Sequence, residues 1–165
     1  MRDSTEFVAF YTATGPRIMG HVYLMVGDRG EAEDAVAEAY ARAWQRWDAV
    51  SGYDDPAAWV RTVAYRIAVS SWRRAIRRRR AHDQAERELT VPAPGPDNAA
   101  LLDALRQLPA AQRQAIVLHH LAGLTVAEIA SETGSSDSAV KARLARGRAA
   151  LAALLDDDKE NTRAR

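Results

Sequence analysis

TVAEIASETGSSDSAVKARLARGRAAL, residues 125–151, reads as two helices joined by a tight turn, the second carrying spaced basic residues. Thr125 and Glu128 make a T-x-x-E capping box, which satisfies orphan backbone amides and starts the first helix. Gly134 can take the left-handed conformation that ends it, and Ser136 can cap the next. In the second helix Val140, Leu144, Gly147 and Leu151 recur at spacings of four, three and four. That stripe is expected to pack against Ile129 and neighbouring helices. Ser138, Ala142 and Ala145 point the other way, with Lys141 and Arg148 on one shoulder and Arg143 and Arg146 on the other. A helix-turn-helix holds its second helix out as a rod that fits the DNA major groove. Small residues let the rod approach base edges, while the cations reach phosphates. The competing reading is an ordinary helical hairpin with a solvated basic face.

At 165 residues the chain can hold one large domain or two small ones. It has no cysteine, so neither a disulfide framework nor a thiolate metal site is suggested. No apolar run approaches the ~20 residues that span a bilayer. The start, MRDSTEFVAF, lacks the basic-then-apolar order of a secretory signal. A soluble cytoplasmic protein without membrane insertion is therefore expected. Net charge is only +1, but it is segregated: −5 over residues 1–60 and +8 over residues 61–80, where eight arginines meet no acid. Segregation of this kind points to different partners for different segments, and the basic stretch is an electrostatic footprint for phosphate.

Nearly every patterned segment has the helical period, and no strand alternation stands out, so an all-α fold is expected. A first helical stretch runs from about Thr5 to Val26, with an interruption expected at Gly15–Pro16. Asp28 and Glu31 start a second helix that ends near Trp47. Its apolar stripe is Val36, Tyr40, Ala43, Trp44 and Trp47. Its acids Glu31, Glu33, Asp34 and Glu38 crowd the N-terminal half, where they also suit the helix dipole. Asp55–Pro56 opens a third helix reaching about Arg80, with Trp59, Val63 and Ile67 at four-residue steps as its core stripe. Residues 82–97, HDQAERELTVPAPGPD, hold three prolines and a glycine and read as a linker. Leu101, Leu105 and Leu108 mark a fourth helix. Pro109 opens a fifth, which carries Ile116, Val117 and Leu121 and stops at Gly123. The end, DDDKENTRAR, is expected to fray.

Catalysis has little support. None of His21, His82, His119 and His120 stands in a ligand spacing such as H-E-x-x-H, and there is no phosphate-binding glycine loop or nucleophile elbow. Adjacent His119 and His120 cannot share one helix face, so one core and one surface residue are expected. No cofactor, no metal and no enzymatic activity follow. The third helix is more informative, because Arg61, Arg66, Arg73, Arg74 and Arg77–Arg80 share it with Trp59, Tyr65 and Trp72. Rings that stack on bases, beside arginines that track the backbone, suit single-stranded nucleic acid. Against that, Trp59 at a core step reads as packing, while Tyr65 and Trp72 fit either role.

EAEDAVAEAYARAW at 31–44, DPAAWVRTVAYRIAVSSWRR at 55–74 and the run from Leu108 to Leu151, in this order, resemble a bacterial RNA polymerase sigma factor. The resemblance is to the small extracytoplasmic-function (ECF) group, which keeps two helical domains, region 2 and region 4. It implies region 2 over residues 1–81, a linker over 82–97, region 4 with its helix-turn-helix over 98–155, and a tail over 156–165. The implied function is to bind core RNA polymerase and direct it to promoters, with no catalytic residue of its own. Glu33, Asp34 and Glu38 would dock on the clamp helices of the β′ subunit, with the β subunit as a further contact, while Tyr40, Trp44 and Trp47 belong to the core. Trp59, Tyr65, Arg66, Ser70, Trp72, Arg73, Arg74 and Arg77 match the positions that open and hold the −10 element. Ser136, Ser138, Lys141, Arg143 and Arg146 match those that read the −35 element.

Three positions depart from the family pattern: Ala37 stands where glutamine is common, Arg66 where asparagine is usual, and Ser70 where aspartate is usual. Many members are held inactive by an anti-sigma protein, which the resemblance adds to core polymerase and promoter DNA as a partner. A stand-alone helix-turn-helix regulator with an N-terminal dimerisation domain, or a polymerase-binding decoy that starts no transcription, are the alternative functions.

Overall fold

The computed structural model describes residues 4–81 and 96–164. The described helices fall into two compact units, and no strand occurs among the described residues. The first unit holds α1 (Ser4–Val26), α2 (Arg29–Gln45), the single turn α3 (Trp47–Val50) and α4 (Pro56–Ala81). The second holds α5 (Pro96–Gln107), α6 (Ala110–Ile116), α7 (Val126–Thr133) and α8 (Asp137–Arg163). The linker expected at 82–97 lies outside the described residues up to position 95, and α5 already begins at Pro96.

Contrary to expectation, α1 is not interrupted at Gly15–Pro16; one helix runs through both residues. A mid-helix proline forfeits a backbone hydrogen bond and crowds the preceding turn, at about 3 kcal/mol. Packing on both sides of Pro16 opposes that cost. Before it, the ring of Phe7 meets Trp44 at 5.1 Å and Trp47 at 5.2 Å, and Tyr11 stands edge-on to Tyr40 at 4.8 Å. The Thr14 and Tyr40 hydroxyls are 2.7 Å apart, joining α1 to α2. After Pro16, Ile18, Val22 and Met25 are buried in the same core.

Asp28 caps α2, its Oδ1 accepting from the Glu31 amide at 3.0 Å. The helix stops two residues before Trp47, because Arg46 leaves helical geometry at φ −117°. Chain direction then resets, and α3 turns both Trp47 and Val50 into the core. Asp55 caps α4 through the Ala58 amide at 2.9 Å, with Pro56 as the first helical residue.

The inward stripe of α4 differs from the expected one. Val60, Ala64 and Ala68 are fully buried, with Arg61 beside them at 5 % exposure, while Trp59, Val63 and Ile67 are only half-buried. The two stripes differ by one residue, a rotation of about 100°. Size explains the outcome. α2 buries Ala32, Ala35, Ala39 and Ala43, and its interface with α4 is the most extensive in the unit. Two helices approach most closely where both present small side chains, so the alanines take the seam and the larger residues flank it.

In the second unit Leu102, Ala104, Leu105 and Leu108 are buried, while Leu101 is half-buried. α6 runs on into a π-helical turn, Val117–Leu121, in which the Ala122 amide reaches the Val117 carbonyl five residues back at 3.0 Å. A wider turn advances each residue by less than 100°. Val117 and Leu118 stay inside, but Leu121, expected on the patterned face, ends 46 % exposed. The acidic end also differs from expectation: α8 continues as helix through residues 156–163, all of them exposed.

α8 packs chiefly on α6, and at Gly147 the contact leaves no room for a side chain. A Cβ placed there would lie 2.9 Å from Cγ1 and 3.3 Å from Cδ1 of Ile116. Both are buried, and interiors of this density yield little. Gly147→Ala should therefore destabilise the chain by about 1–3 kcal/mol through overpacking. The measurement is a urea or thermal unfolding midpoint, and an unchanged midpoint would show that α6 and α8 are not held in contact there.

Candidate polymerase-docking and promoter-binding surfaces

The helix-turn-helix is built by its end groups. The Thr125 amide donates to Oε2 of Glu128 at 2.8 Å, and the Glu128 amide donates to Oγ1 of Thr125 at 3.2 Å, completing the capping box. Gly134 ends α7 at φ +65°, a conformation that costs a residue with a Cβ about 1 kcal/mol or more. Ser136 then caps α8 by accepting the Ala139 amide at 3.1 Å. Behind the helix Val140, Leu144 and Gly147 are buried and Leu151 is half-buried, as the spacing predicts. In front, Ser136, Ser138, Lys141, Ala145 and Arg146 are exposed.

Two of the shoulder cations are already engaged. The half-buried Arg143 donates through Nη1 to Oγ of Ser135 at 2.7 Å, and Arg148 donates through Nε to Nε2 of His120 at 3.0 Å. His119 is half-buried, with Nδ1 donating to the Leu124 carbonyl at 2.8 Å, whereas His120 is exposed. Partial desolvation, then the Arg148 charge and His119, lower the pKa of His120 below its ordinary value. The neutral ring is the form that accepts from Arg148, so acid removes this contact.

On α2, Glu33, Asp34 and Glu38 are all exposed and lie within about 140° of arc at 100° per residue. Exposed Ala37 and Ala41 lie between them, so the face is acidic and flat. Arg29 pairs with Glu33, and Arg42 with Glu38, each at 2.8 Å with about half of every side chain open to solvent. Such pairs contribute roughly 0–1 kcal/mol and exchange easily. Asp34 has no such partner among the described residues. Tyr40 and Trp47 are core as expected, and Trp44 is half-buried against Phe7.

On α4, Arg66, Ser70 and Arg74 are exposed and fall within about 80° of one another. Tyr65 is half-buried, and so is Trp59, whose ring centre is 6.4 Å from that of Tyr53. Arg61 does not belong to this surface, since it is turned into the core. The side chains of Trp72, Arg73 and Arg77 lie outside the described residues.

Sequence reasoning missed four residues that modify these surfaces. Arg29 and Arg42 were legible, because an arginine four residues from a glutamate on a helix is a standard pair. Ser135 and His120 were not, since their partners stand 8 and 28 residues away across a cap and a turn. Among the described residues no three histidines or carboxylates are grouped to hold a metal ion, and no helix is long and apolar enough to cross a membrane.

These two units match known families. Residues 10–81 match sigma-70 region 2, and residues 98–151 match sigma-70 region 4. The ECF RNA polymerase sigma factor SigL of Mycobacterium tuberculosis is 33 % identical over 144 residues, covering 82 % of this chain and 81 % of SigL. BldN of Streptomyces coelicolor is 28 % identical over 165 residues; the match covers 94 % of this chain and 62 % of BldN's length. Among solved structures, RpoE of Bartonella quintana in complex with the anti-sigma factor NepR is similar, with TM-score 0.82 at 24 % identity, covering 92 % of this chain and 97 % of that one. CnrH in complex with the cytosolic domain of CnrY gives TM-score 0.66 at 25 % identity, covering 94 % and 91 %. The chain belongs to the sigma-70 family, and within it to the ECF RNA polymerase sigma factors.

Replacing Arg148 by alanine removes a positive charge and a donor from His120. The titration midpoint of His120, followed by its ring resonances in NMR, should move upward in Arg148→Ala. A midpoint that stays in place would show that the two side chains do not meet in solution.

Proposed function

We propose that the chain is a promoter-specificity subunit that binds core RNA polymerase through the exposed acids of α2 and places α4 and α8 on promoter DNA. The observation that carries this reading is the separation of charge onto distinct solvent faces. An acidic face lies on α2 and a cationic one on α4, while a capped helix on the other unit exposes small and basic side chains. Sigma factors are initiation factors rather than enzymes, and polymerisation belongs to the core enzyme.

In this reading Asp34 makes the first contact with the β′ clamp helices, while Glu33 and Glu38 exchange their arginine partners for cations of the polymerase. Arg66, Ser70 and Arg74, with Tyr65, Trp72, Arg73 and Arg77, engage the −10 element. Ser136, Ser138, Lys141, Arg143 and Arg146 engage the −35 element. The protein acts in the cytoplasm, where core polymerase resides. An anti-sigma protein is proposed as a further partner, on the likeness to CnrH, which was solved with the cytosolic domain of CnrY.

The test is run-off transcription with purified chain, core enzyme and a randomised promoter library. Transcripts that share one bipartite upstream sequence are expected; binding to palindromes without polymerase would instead indicate a stand-alone regulator. The double substitution Asp34→Lys and Glu38→Lys should weaken co-purification with core polymerase at least tenfold, with helical circular dichroism unchanged. Undiminished co-purification would refute the docking assignment.

A further inference from the structure

Arg143 differs from the other cations of α8 in where it sits and in what holds it. At 100° per residue it lies about 60° from the buried Val140, whereas Lys141 lies about 100° away and Arg146 about 120°. It is accordingly half-buried, while Lys141 and Arg146 are exposed. Helical side chains lean toward the N-terminus, so the Arg143 stem runs back along α8 toward the turn. There its Nη1 meets Oγ of Ser135 at 2.7 Å, eight residues earlier in the chain. Ser135 is itself held by its amide, which donates to the Ala130 carbonyl at 2.9 Å.

We propose that Ser135 is a positioning residue for promoter recognition, holding the Arg143 guanidinium ready for a phosphate on the wall of the −35 major groove. This rests on the reading of α8 as the −35 helix. The floor of the groove is met by the side of a recognition helix that faces away from its own domain, here Ser138, Ala142 and Ala145. A cation close to the buried seam meets the sugar-phosphate wall instead. One of five guanidinium N–H groups is occupied by Ser135, and the remainder keep the planar fork that suits a phosphate. A long side chain ordered before binding loses less freedom on binding, which raises affinity without adding a contact to DNA. Ser135 thus acts through Arg143.

The experiment is a double-mutant cycle on holoenzyme assembled from the full chain and core polymerase. The probe is a promoter fragment recovered from the run-off library, together with versions changed at each −35 base pair. Arg143→Ala is expected to weaken binding about equally on all these fragments and to make the salt slope shallower by about 0.9. Ser135→Ala should weaken binding roughly two- to tenfold, the cost of ordering one long side chain. In the Arg143→Ala background the same change should have no effect, and Ser135→Thr, which keeps the hydroxyl, should retain affinity. Equal losses from Ser135→Ala in both backgrounds would overturn the positioning role, because a merely structural serine acts regardless of Arg143. A change in base preference at one position on Arg143→Ala would overturn the phosphate assignment. Lys141→Ala and Arg146→Ala separate the two levels. If these weaken binding while Ser135→Ala does not, only the positioning role fails. If none of the substitutions matters, the −35 reading of α8 fails with it.

Discussion

Absence of a side chain at Gly147 is what lets α8 lie against α6, and the presentation of the whole helix-turn-helix depends on that contact. Ile116 fills the space a Cβ would take, so the distance between the helices is set by backbone on one side and a branched side chain on the other. Close approach also fixes rotation. With position 147 on the seam, Val140 and Leu144 must face inward and Ser138, Lys141, Ala145 and Arg146 must face solvent. The first unit obeys the same rule with alanine in place of glycine, along α2 and at Ala64 and Ala68 of α4.

Helix starts were legible in the sequence because a cap is a local event. Asp28, Asp55, Thr125 and Ser136 each accept the amide three residues on, as their spacing predicts. Rotation about the helix axis was less legible, because it is decided by residues distant in sequence. The larger side chains of α4 suggested a stripe at Trp59, Val63 and Ile67, yet hydrophobicity alone does not say which stripe lets the neighbouring helix come nearest. Similarly, nothing local in VLHHL announces that its turn will widen and release Leu121. The continuity of α1 through Pro16 is hard to read from sequence for a related reason: the cost of the proline is local and visible, whereas the aromatic layer opposing it is assembled from two helices.

The pairs Arg29–Glu33 and Arg42–Glu38 are half-exposed and add little to folding. They lower the repulsion among neighbouring acids, and at this exposure they cost little to break. The face is also flat, since Ala37 and Ala41 keep its floor low. A glutamine at position 37 would add a hydrogen-bonding group in the middle of it; with alanine there, the polar groups of the face are the flanking carboxylates and their arginine partners.

Charge counted along a stretch of chain is not charge presented on a face. The eight arginines of residues 61–80 include Arg61, which the one-residue rotation of α4 carries into the core. Burying a guanidinium is costly unless it is engaged, so it takes up a structural part and leaves the solvent field. The cationic face therefore begins at Arg66 and continues through Arg74, displaced toward the C-terminal half of α4.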